Sequence, residues 1–436
     1  MADLELTELH GSLTDRALNS MNFLNEVSHH YPDAISLAAG RPTEEFFALE
    51  DLHTYLDTFA DHLRQQGYDE DAVRRTIFQY GRTKGIVHDL IARNLAVDED
   101  IHVDPESIVV TVGCQEAMVL TLRALRADAD DVLLAISPSY VGITGAARLF
   151  DLPVLPVASG NDGVDLDDLV AVVKAARVDG LRPRACYVMP DFANPSGLSL
   201  DLETRRRLLE VAGEQELLLL EDNPYGLFPA DGVDRLPTLK ALDTDRRVVY
   251  LGSFAKTGLP GARVGYVVAD QAVEAPDGSI GLLADELSKI KSMVTVNTSA
   301  VAQAVIGGKL LANDCSLVAA NRREREIYAA NLREITDGLA ARFPGGEITW
   351  TVPSGGFFVV VTVPFPVDDV LLEKSAYEYG VLWTPMSHFY DGDTPIHALR
   401  LSCSSVTPAL IDSALDRLSA LIRDELVLSA GPKLDL

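Results

Sequence analysis

One short segment indicates the fold class of this sequence: Leu217-Leu218-Leu219-Leu220-Glu221-Asp222-Asn223-Pro224-Tyr225. Four consecutive leucines form an apolar run that is typical of a strand buried on both faces of a parallel sheet. The run ends in acidic residues and Asn-Pro, a dipeptide that favours a turn. Because an unpaired carboxylate at the edge of a dry core is costly, Asp222 needs a cationic partner from the protein or from a ligand.

Similar apolar runs lie on both sides of this strand, and segments with helical periodicity separate most of them. The runs cover residues 108–112, 131–136, 153–157, 185–189, 248–251 and 264–268. This alternation predicts an α/β fold with a mostly parallel sheet that helices cover on both faces. Ligands of such sheets bind beyond the carboxyl ends of the strands.

The pattern of predicted elements changes after about residue 310. One long helix is predicted over 310–343, and shorter strands and helices follow it. We therefore predict a large domain over 60–310 and a smaller α+β domain over 36–59 and 311–436. Residues 1–35 form an N-terminal arm.

Composition narrows the classes of partner. The chain has 436 residues, 37 basic and 65 acidic, with a formal net charge of −28. Such a charge repels nucleic acid and anionic membranes, so neither is expected as a partner. Four scattered cysteines without metal-ligand spacing, and an acidic N-terminus without a signal-peptide pattern, predict a soluble, cytoplasmic protein without a metal site.

Short turns follow several of the predicted strands. Gly113-Cys114-Gln115 opens a helix, and such a turn presents backbone N–H groups to an anion such as phosphate. We expect the Cys114 thiol to be a small core side chain. Tyr140 can place an aromatic ring over the same crevice, and Asn194 begins an Asn-Pro-Ser-Gly turn. Each turn alone also suits a structural loop.

A lysine follows the predicted strand at 248–251, within the segment Gly252-Ser253-Phe254-Ala255-Lys256-Thr257-Gly258-Leu259-Pro260-Gly261-Ala262-Arg263. Burial lowers the pKa of a lysine and makes it a nucleophile or a Schiff-base former.

The joint order of these motifs resembles the aspartate aminotransferase superfamily, the fold type I group of pyridoxal 5′-phosphate enzymes. SLAAGRP at 36–42, QYG at 79–81, PSGGFF at 353–358 and LRLS at 399–402 resemble its aromatic and α-aminoadipate subgroup. GSFAKTGLPGARVGY at 252–266, MNFLNEV at 21–27 and YVGITGAAR at 140–148 are similar to hydroxyphenylglycine aminotransferases of peptide-antibiotic pathways. The large domain would then bind the cofactor.

The resemblance implies a role for each cofactor-binding residue. Lys256 would hold the cofactor as a Schiff base and shuttle the α-proton, and Asp222 would pair with the pyridine nitrogen. Asn194 and Tyr225 would bind the phenolic oxygen, and Tyr140 would stack on the ring. Phosphate would be bound by the remaining set: Gly113, Cys114, Gln115, Ser253 and Arg263.

The resemblance also implies a homodimer and a set of substrate contacts. Tyr80 would reach the phosphate of the neighbouring subunit, so the active sites would be shared. Arg400 would bind the α-carboxylate of the amino acid and of the 2-oxo acid as a bidentate fork, with Asn194 and Gly40 beside it. Arg41 is the candidate for a side-chain carboxylate.

The predicted activity is transfer of an amino group between an aromatic amino acid and a 2-oxo acid, in secondary metabolism. Aromatic or apolar residues near the motifs are candidates for the side-chain pocket: Phe192, Phe357, Phe358, Trp383, Met386 and Phe389. Decarboxylation or oxidative deamination on the same scaffold stays open. A regulatory sensor domain is a second alternative. It is disfavoured because only about 35 residues precede the motif at Ser36, and this segment is acidic and not basic like a DNA-binding domain.

Overall fold

The structure is a computed structural model that describes residues 4–160, 163–392 and 394–429. The outermost residues of the predicted arm and small domain, 1–3 and 430–436, lie outside the described residues. Across the described ranges, no helix has both the length and the apolar character needed to cross a membrane.

The strands confirm the predicted α/β sheet. In chain order they are β1 (Ile35–Ser36), β2 (Ile108–Thr111), β3 (Asp131–Ser137), β4 (Val154–Ala158), β5 (Arg182–Val188), β6 (Leu218–Asp222), β7 (Val248–Ser253), β8 (Gly265–Val268), β9 (Ala272–Glu274), β10 (Ile280–Leu282), β11 (Thr349–Trp350), β12 (Phe358–Thr362), β13 (Val381–Leu382), β14 (Thr384–Pro385) and β15 (Ala398–Ser402).

The large sheet has the order β2-β8-β7-β6-β5-β3-β4. Only β8 runs antiparallel to its neighbours β2 and β7, and the other pairs are parallel. Residues on both faces of β2 and β8 are buried, as expected for strands covered by helices on both sides. The parallel strands therefore bring their carboxyl ends to one edge, where Asp222 closes β6 and Ser253 closes β7.

The helices pack on and beside these strands. They are α1 (Arg16–His30), α2 (Leu49–Gln65), α3 (Glu70–Phe78), α4 (His88–Glu99), α5 (Gly113–Leu125), α6 (Val141–Arg148), α7 (Leu166–Val178), α8 (Leu202–Glu214), α9 (Leu239–Leu242), α10 (Leu283–Val294), α11 (Ala300–Ala312), α12 (Leu317–Ala320), α13 (Arg322–Arg342), α14 (Asp369–Lys374) and α15 (Pro408–Ser429). Asp165 caps α7 and Asp201 caps α8, because each carboxylate accepts hydrogen bonds from backbone N–H groups in the first turn of its helix.

The single long helix predicted over 310–343 is wrong. The chain forms α11, α12 and α13 there, with a break at Asp314 and Cys315, which both adopt positive φ angles of 51° and 61°. Ser316 then caps α12 by accepting a hydrogen bond from the Ala319 N–H. The break lets this segment turn instead of continuing, because left-handed residues end a helix.

The smaller sheet has the order β11-β12-β15-β14, and α13 packs on its strand β12, while α15 packs on α13 and on the separate strand pair β1 and β13. β1, which follows the arm, pairs with β13, so the arm enters this part of the fold directly. Helix α1 of the arm packs on α6 beside the large sheet, while its Val27 is buried with the core of the small sheet. The boundaries at 36, 60 and 311 stay a prediction.

Candidate active site

Residues from the strand ends and from the small sheet meet around a cavity of about 550 Å³. The predicted site residues that line it are Gly40, Arg41, Cys114, Gln115, Tyr140, Asn194, Asp222, Tyr225, Ser253, Lys256, Arg263 and Arg400. Gly113 lies directly behind the wall, against the Arg263 guanidinium. Tyr80 lies elsewhere, with 83% of its surface exposed.

One corner of the cavity is an anion cradle. Helix α5 begins at Gly113, and the residue before it is Val112, whose side chain cannot cap the first N–H groups. Gly113 has a φ of 70° and faces Arg263, so a side chain there would be strained and would displace the guanidinium. Free N–H groups at a helix start beside an arginine are suited to bind phosphate.

Asp222 lies at the floor of the cavity and is 2% exposed. Burial raises its pKa to about 6, while hydrogen bonds from Tyr187 and Cys114 and the charge of Lys256 oppose this rise. The Tyr187 hydroxyl donates to Oδ2 at 2.6 Å. Above about pH 6, Asp222 is therefore a buried anion that faces the cavity and can pair with a cationic ligand.

Lys256 is positioned by the turn after β7. Its Nζ atom donates to the carbonyl oxygen of Gly40 at 2.6 Å and lies 5.8 Å from the centre of the Tyr225 ring. Burial, together with the charges of Arg400 and Arg263, lowers the pKa of Lys256 to about 8, and the charge of Asp222 partly opposes this shift. A substantial neutral fraction near neutral pH makes this amine available as a nucleophile or a base.

Arg400 enters the cavity from β15 and is 4% exposed. Its Nη1 donates to Oδ1 of Asn194 at 2.5 Å, and Nη2 donates to the Ala38 carbonyl at 3.0 Å. Within the described residues its buried Nε has no acceptor. Burial lowers the pKa of Arg400 to about 10, so the guanidinium stays a cation at neutral pH and can bind a carboxylate.

Of the six candidates for the side-chain pocket, two line the cavity and four do not. The Arg400 guanidinium carbon lies 4.2 Å from the ring centre of Phe358 and 4.9 Å from that of Phe389, and both rings line the cavity. The other candidates do not line it. Phe192 and Phe357 pack in the core of the large sheet, and Met386 is buried in one small cluster with Phe389. Trp383 is fully buried in the small-sheet core, where its indole N–H donates to the Ser375 hydroxyl.

The cavity also receives residues that sequence reasoning did not single out. Met21, Leu24 and His29 of helix α1 line it, so the arm helps to close the site. Tyr187, next to the last residue of β5, donates a hydrogen bond to Asp222, and its hydroxyl gave no sequence signal. Cys114 was expected to be a core residue, yet it lines the cavity and its thiol contacts Asp222.

With this geometry, the chain belongs to the aminotransferase class I and II family, whose model matches residues 55–418. It is 60% identical to (S)-3,5-dihydroxyphenylglycine transaminase of Amycolatopsis orientalis, over 96% of this chain and 94% of that protein. It is 30% identical to 2-aminoadipate transaminase of Thermus thermophilus, over 91% of this chain and 92% of that protein.

A solved structure agrees with this assignment. Kynurenine aminotransferase of Pyrococcus horikoshii, determined in complex with PMP, superposes with a TM-score of 0.81 at 26% identity and covers 97% of both chains. The predictions of a fold type I architecture and of an aminotransferase are confirmed. The family implies pyridoxal phosphate as the cofactor.

Proposed function

We propose that this aminotransferase uses pyridoxal 5′-phosphate to exchange the amino group of an arylglycine, of the 3,5-dihydroxyphenylglycine type, with a 2-oxo acid. The observation that carries the proposal is the arrangement of Lys256 in one cavity with the Asp222 carboxylate and with Arg400, which lies over two aromatic rings. The relative at 60% identity supports the substrate class.

The residues around the cavity fit the cofactor. Its phosphate would take the cradle of Gly113, Cys114 and Gln115 amides with Ser253 and Arg263, and its ring would lie between Tyr140 and the strand ends. Asp222 would hold a proton on the ring nitrogen, while Asn194 and Tyr225 would bind the ring oxygen. When bound, pyridoxal phosphate supplies an electron-accepting ring for the charge left on the substrate α-carbon.

Lys256 transfers the α-proton of the substrate, and Arg400 binds its carboxylate. The neutral amine of Lys256 accepts the proton of the substrate α-carbon at Nζ and later donates that proton from the same atom. Arg400 binds the α-carboxylate and so fixes which substrate bond faces Lys256. Because Asn194 already accepts from Arg400, the guanidinium is held in place before substrate arrives.

The side chain of the substrate would contact Phe358 and Phe389, while Arg41 marks the mouth of the cavity. An apolar wall favours an aryl ring by burial of its surface. Aspartate would bury a second carboxylate whose one candidate partner, Arg41, is exposed to water. An unpaired buried charge costs several kcal/mol, so small dicarboxylates should be poor donors.

A competition of donors tests the substrate. We would measure kcat/KM with 2-oxoglutarate for 3,5-dihydroxyphenylglycine, 4-hydroxyphenylglycine, tyrosine, leucine and aspartate, and identify the product as keto acid, aldehyde or amine. The arylglycines should exceed aspartate by about tenfold or more. A faster reaction with aspartate that Arg41→Ala abolishes would contradict the aromatic pocket. Aldehyde or amine products would favour oxidative deamination or decarboxylation instead.

We further propose a homodimer with shared active sites. The support is Tyr80, which is 83% exposed near the likewise exposed Phe78, away from the cavity of its own chain. Mixing Tyr80→Ala protein with Lys256→Ala protein would create hybrids in which one site keeps both residues. Random mixing should then restore about a quarter of the wild-type sites. No recovery, despite subunit exchange, would contradict the shared site. Cytoplasmic location stays a prediction, in keeping with the free cysteines.

A further inference from the structure

Both oxygens of the Asp222 carboxylate receive a hydrogen bond from a neutral side chain. Tyr187 of β5 donates to Oδ2 at 2.6 Å, and the Cys114 thiol in the first turn of α5 donates to Oδ1 with 3.6 Å between sulfur and oxygen. Asp222 is 2% exposed, so these contacts decide how its carboxylate is oriented. Removing either donor leaves a buried acceptor less well satisfied.

The thiol stays protonated in this place. Burial and the charge of Asp222 raise the pKa of Cys114 well above its ordinary value, and Arg263 only partly opposes this. Cys114 is therefore a donor and not a thiolate. Because S–H is a weak donor, it restrains Oδ1 lightly and leaves that oxygen able to accept from a stronger, cationic partner.

The backbone at Cys114 has little freedom to move. Strand β8 passes so close that a Cβ atom added to Gly265 would lie 2.5 Å from the Cys114 nitrogen. The position of the side chain is thus set by the start of α5 and by β8. A substitution at Cys114 will accordingly change the chemistry next to Asp222 more than the path of the chain.

We propose that Cys114 is a positioning residue of this aminotransferase: its thiol donates to Oδ1 of Asp222 and keeps the carboxylate ionised and turned towards the cavity. The inference rests on the proposed function, in which Asp222 is the partner of the cofactor ring nitrogen. The titratable or charged groups that face Asp222 are Tyr140, Tyr187, Tyr225, Lys256 and, beyond Cys114, Arg263.

Two variants separate this role from packing. Cys114→Val keeps an apolar side chain of similar size without a donor, whereas Cys114→Ser keeps a donor in a smaller, more polar side chain. We expect Cys114→Val to weaken the binding of pyridoxal phosphate about three- to tenfold, and Cys114→Ser to stay within about twofold of the wild type. The reverse ranking, or wild-type binding by Cys114→Val, would overturn the proposal.

Infrared spectroscopy of the cofactor-free full chain supplies a readout that does not depend on turnover. The S–H stretching band that Cys114→Ser removes should shift as Asp222 is protonated near its pKa of about 6. The matched control is Cys186, a buried thiol on β5 of the sheet that carries Asp222. Its S–H band should not shift with pH. A Cys114 band that ignores pH would overturn the proposal. If the band responds while the protein lacks transaminase activity, only the proposed function fails.

Discussion

The Nζ atom of Lys256 lies 2.6 Å from the carbonyl oxygen of Gly40, which is 216 residues away along the chain. Gly40 belongs to the segment between β1 and α2, and an added Cβ there would lie 2.7 Å from the Phe358 ring. The lysine of the large sheet, the glycine after the arm and the aromatic wall of the cavity are therefore packed as one unit. A substitution at one of these residues should therefore shift the positions of the other two.

Lys256→Ala should abolish turnover. It removes both the covalent attachment point and the proton acceptor, and proton transfer by a positioned base contributes about 10²–10⁴-fold to rate. Borohydride reduction followed by peptide mapping should place the cofactor on Lys256 in the wild type. Lys309→Ala is the matched control, because Lys309 is a partly buried lysine whose pKa is also lowered but which lies outside the cavity. An adduct on another lysine would contradict the assignment.

Attachment of pyridoxal phosphate to the cofactor-free protein should accelerate as pH rises through about 8, the lowered pKa of Lys256. Only the neutral amine is a nucleophile, so the neutral fraction rises with pH and is one half at the pKa. Stopped-flow absorbance at a series of pH values measures this midpoint. A midpoint near 10.5, the ordinary lysine value, would show that burial does not act on this amine.

Tyr187→Phe should move the acid-side loss of cofactor binding to higher pH. Asp222 must be ionised to pair with a protonated ring nitrogen, so binding falls as pH drops through its folded pKa of about 6. Hydrogen bonds to charged groups contribute about 1.5–3 kcal/mol, and removal of this donor should raise the midpoint by about one to two pH units. Titration of binding against pH measures it.

The control for that experiment is Tyr250→Phe. Tyr250 is a buried tyrosine of β7 in the same sheet, packed in a different cluster away from Asp222. It should leave the midpoint unchanged. Equal shifts in the two variants would mean that the effect comes from loosening of the sheet and not from the lost hydrogen bond to Asp222.

Arg400→Lys should raise KM for the amino acid more than it lowers kcat. A lysine keeps the positive charge but loses the bidentate geometry and the contact over Phe358, which together are expected to cost about 2 kcal/mol, or about 30-fold. Steady-state kinetics with an arylglycine measures the split. Arg417→Lys, at an exposed arginine that donates to the Gly380 carbonyl, should change neither constant. A fall in kcat alone would contradict carboxylate binding.

Local sequence was sufficient for the elements and for most of the site. Buried strands are specified by runs of neighbouring apolar residues, and the helices between them by their helical periodicity, so β6 and the alternation of strands and helices around it could be predicted. The turns after the strands could be placed at one edge of the sheet, because the carboxyl ends of parallel strands meet there. These turns carry Gly113, Asn194, Asp222 and Lys256. The roles of these residues came from the resemblance of the motifs to a family.

Tertiary structure decided which side chains meet. Arg400 reaches Asn194 across 206 residues, Tyr187 and Cys114 converge on Asp222, and Trp383 is buried in the small-sheet core instead of the substrate pocket. The long helix expected over 310–343 is broken where two residues adopt positive φ angles. These contacts form between segments that are far apart along the chain. Periodicity and spacing describe only neighbours in sequence, so they do not predict which distant side chains pack together.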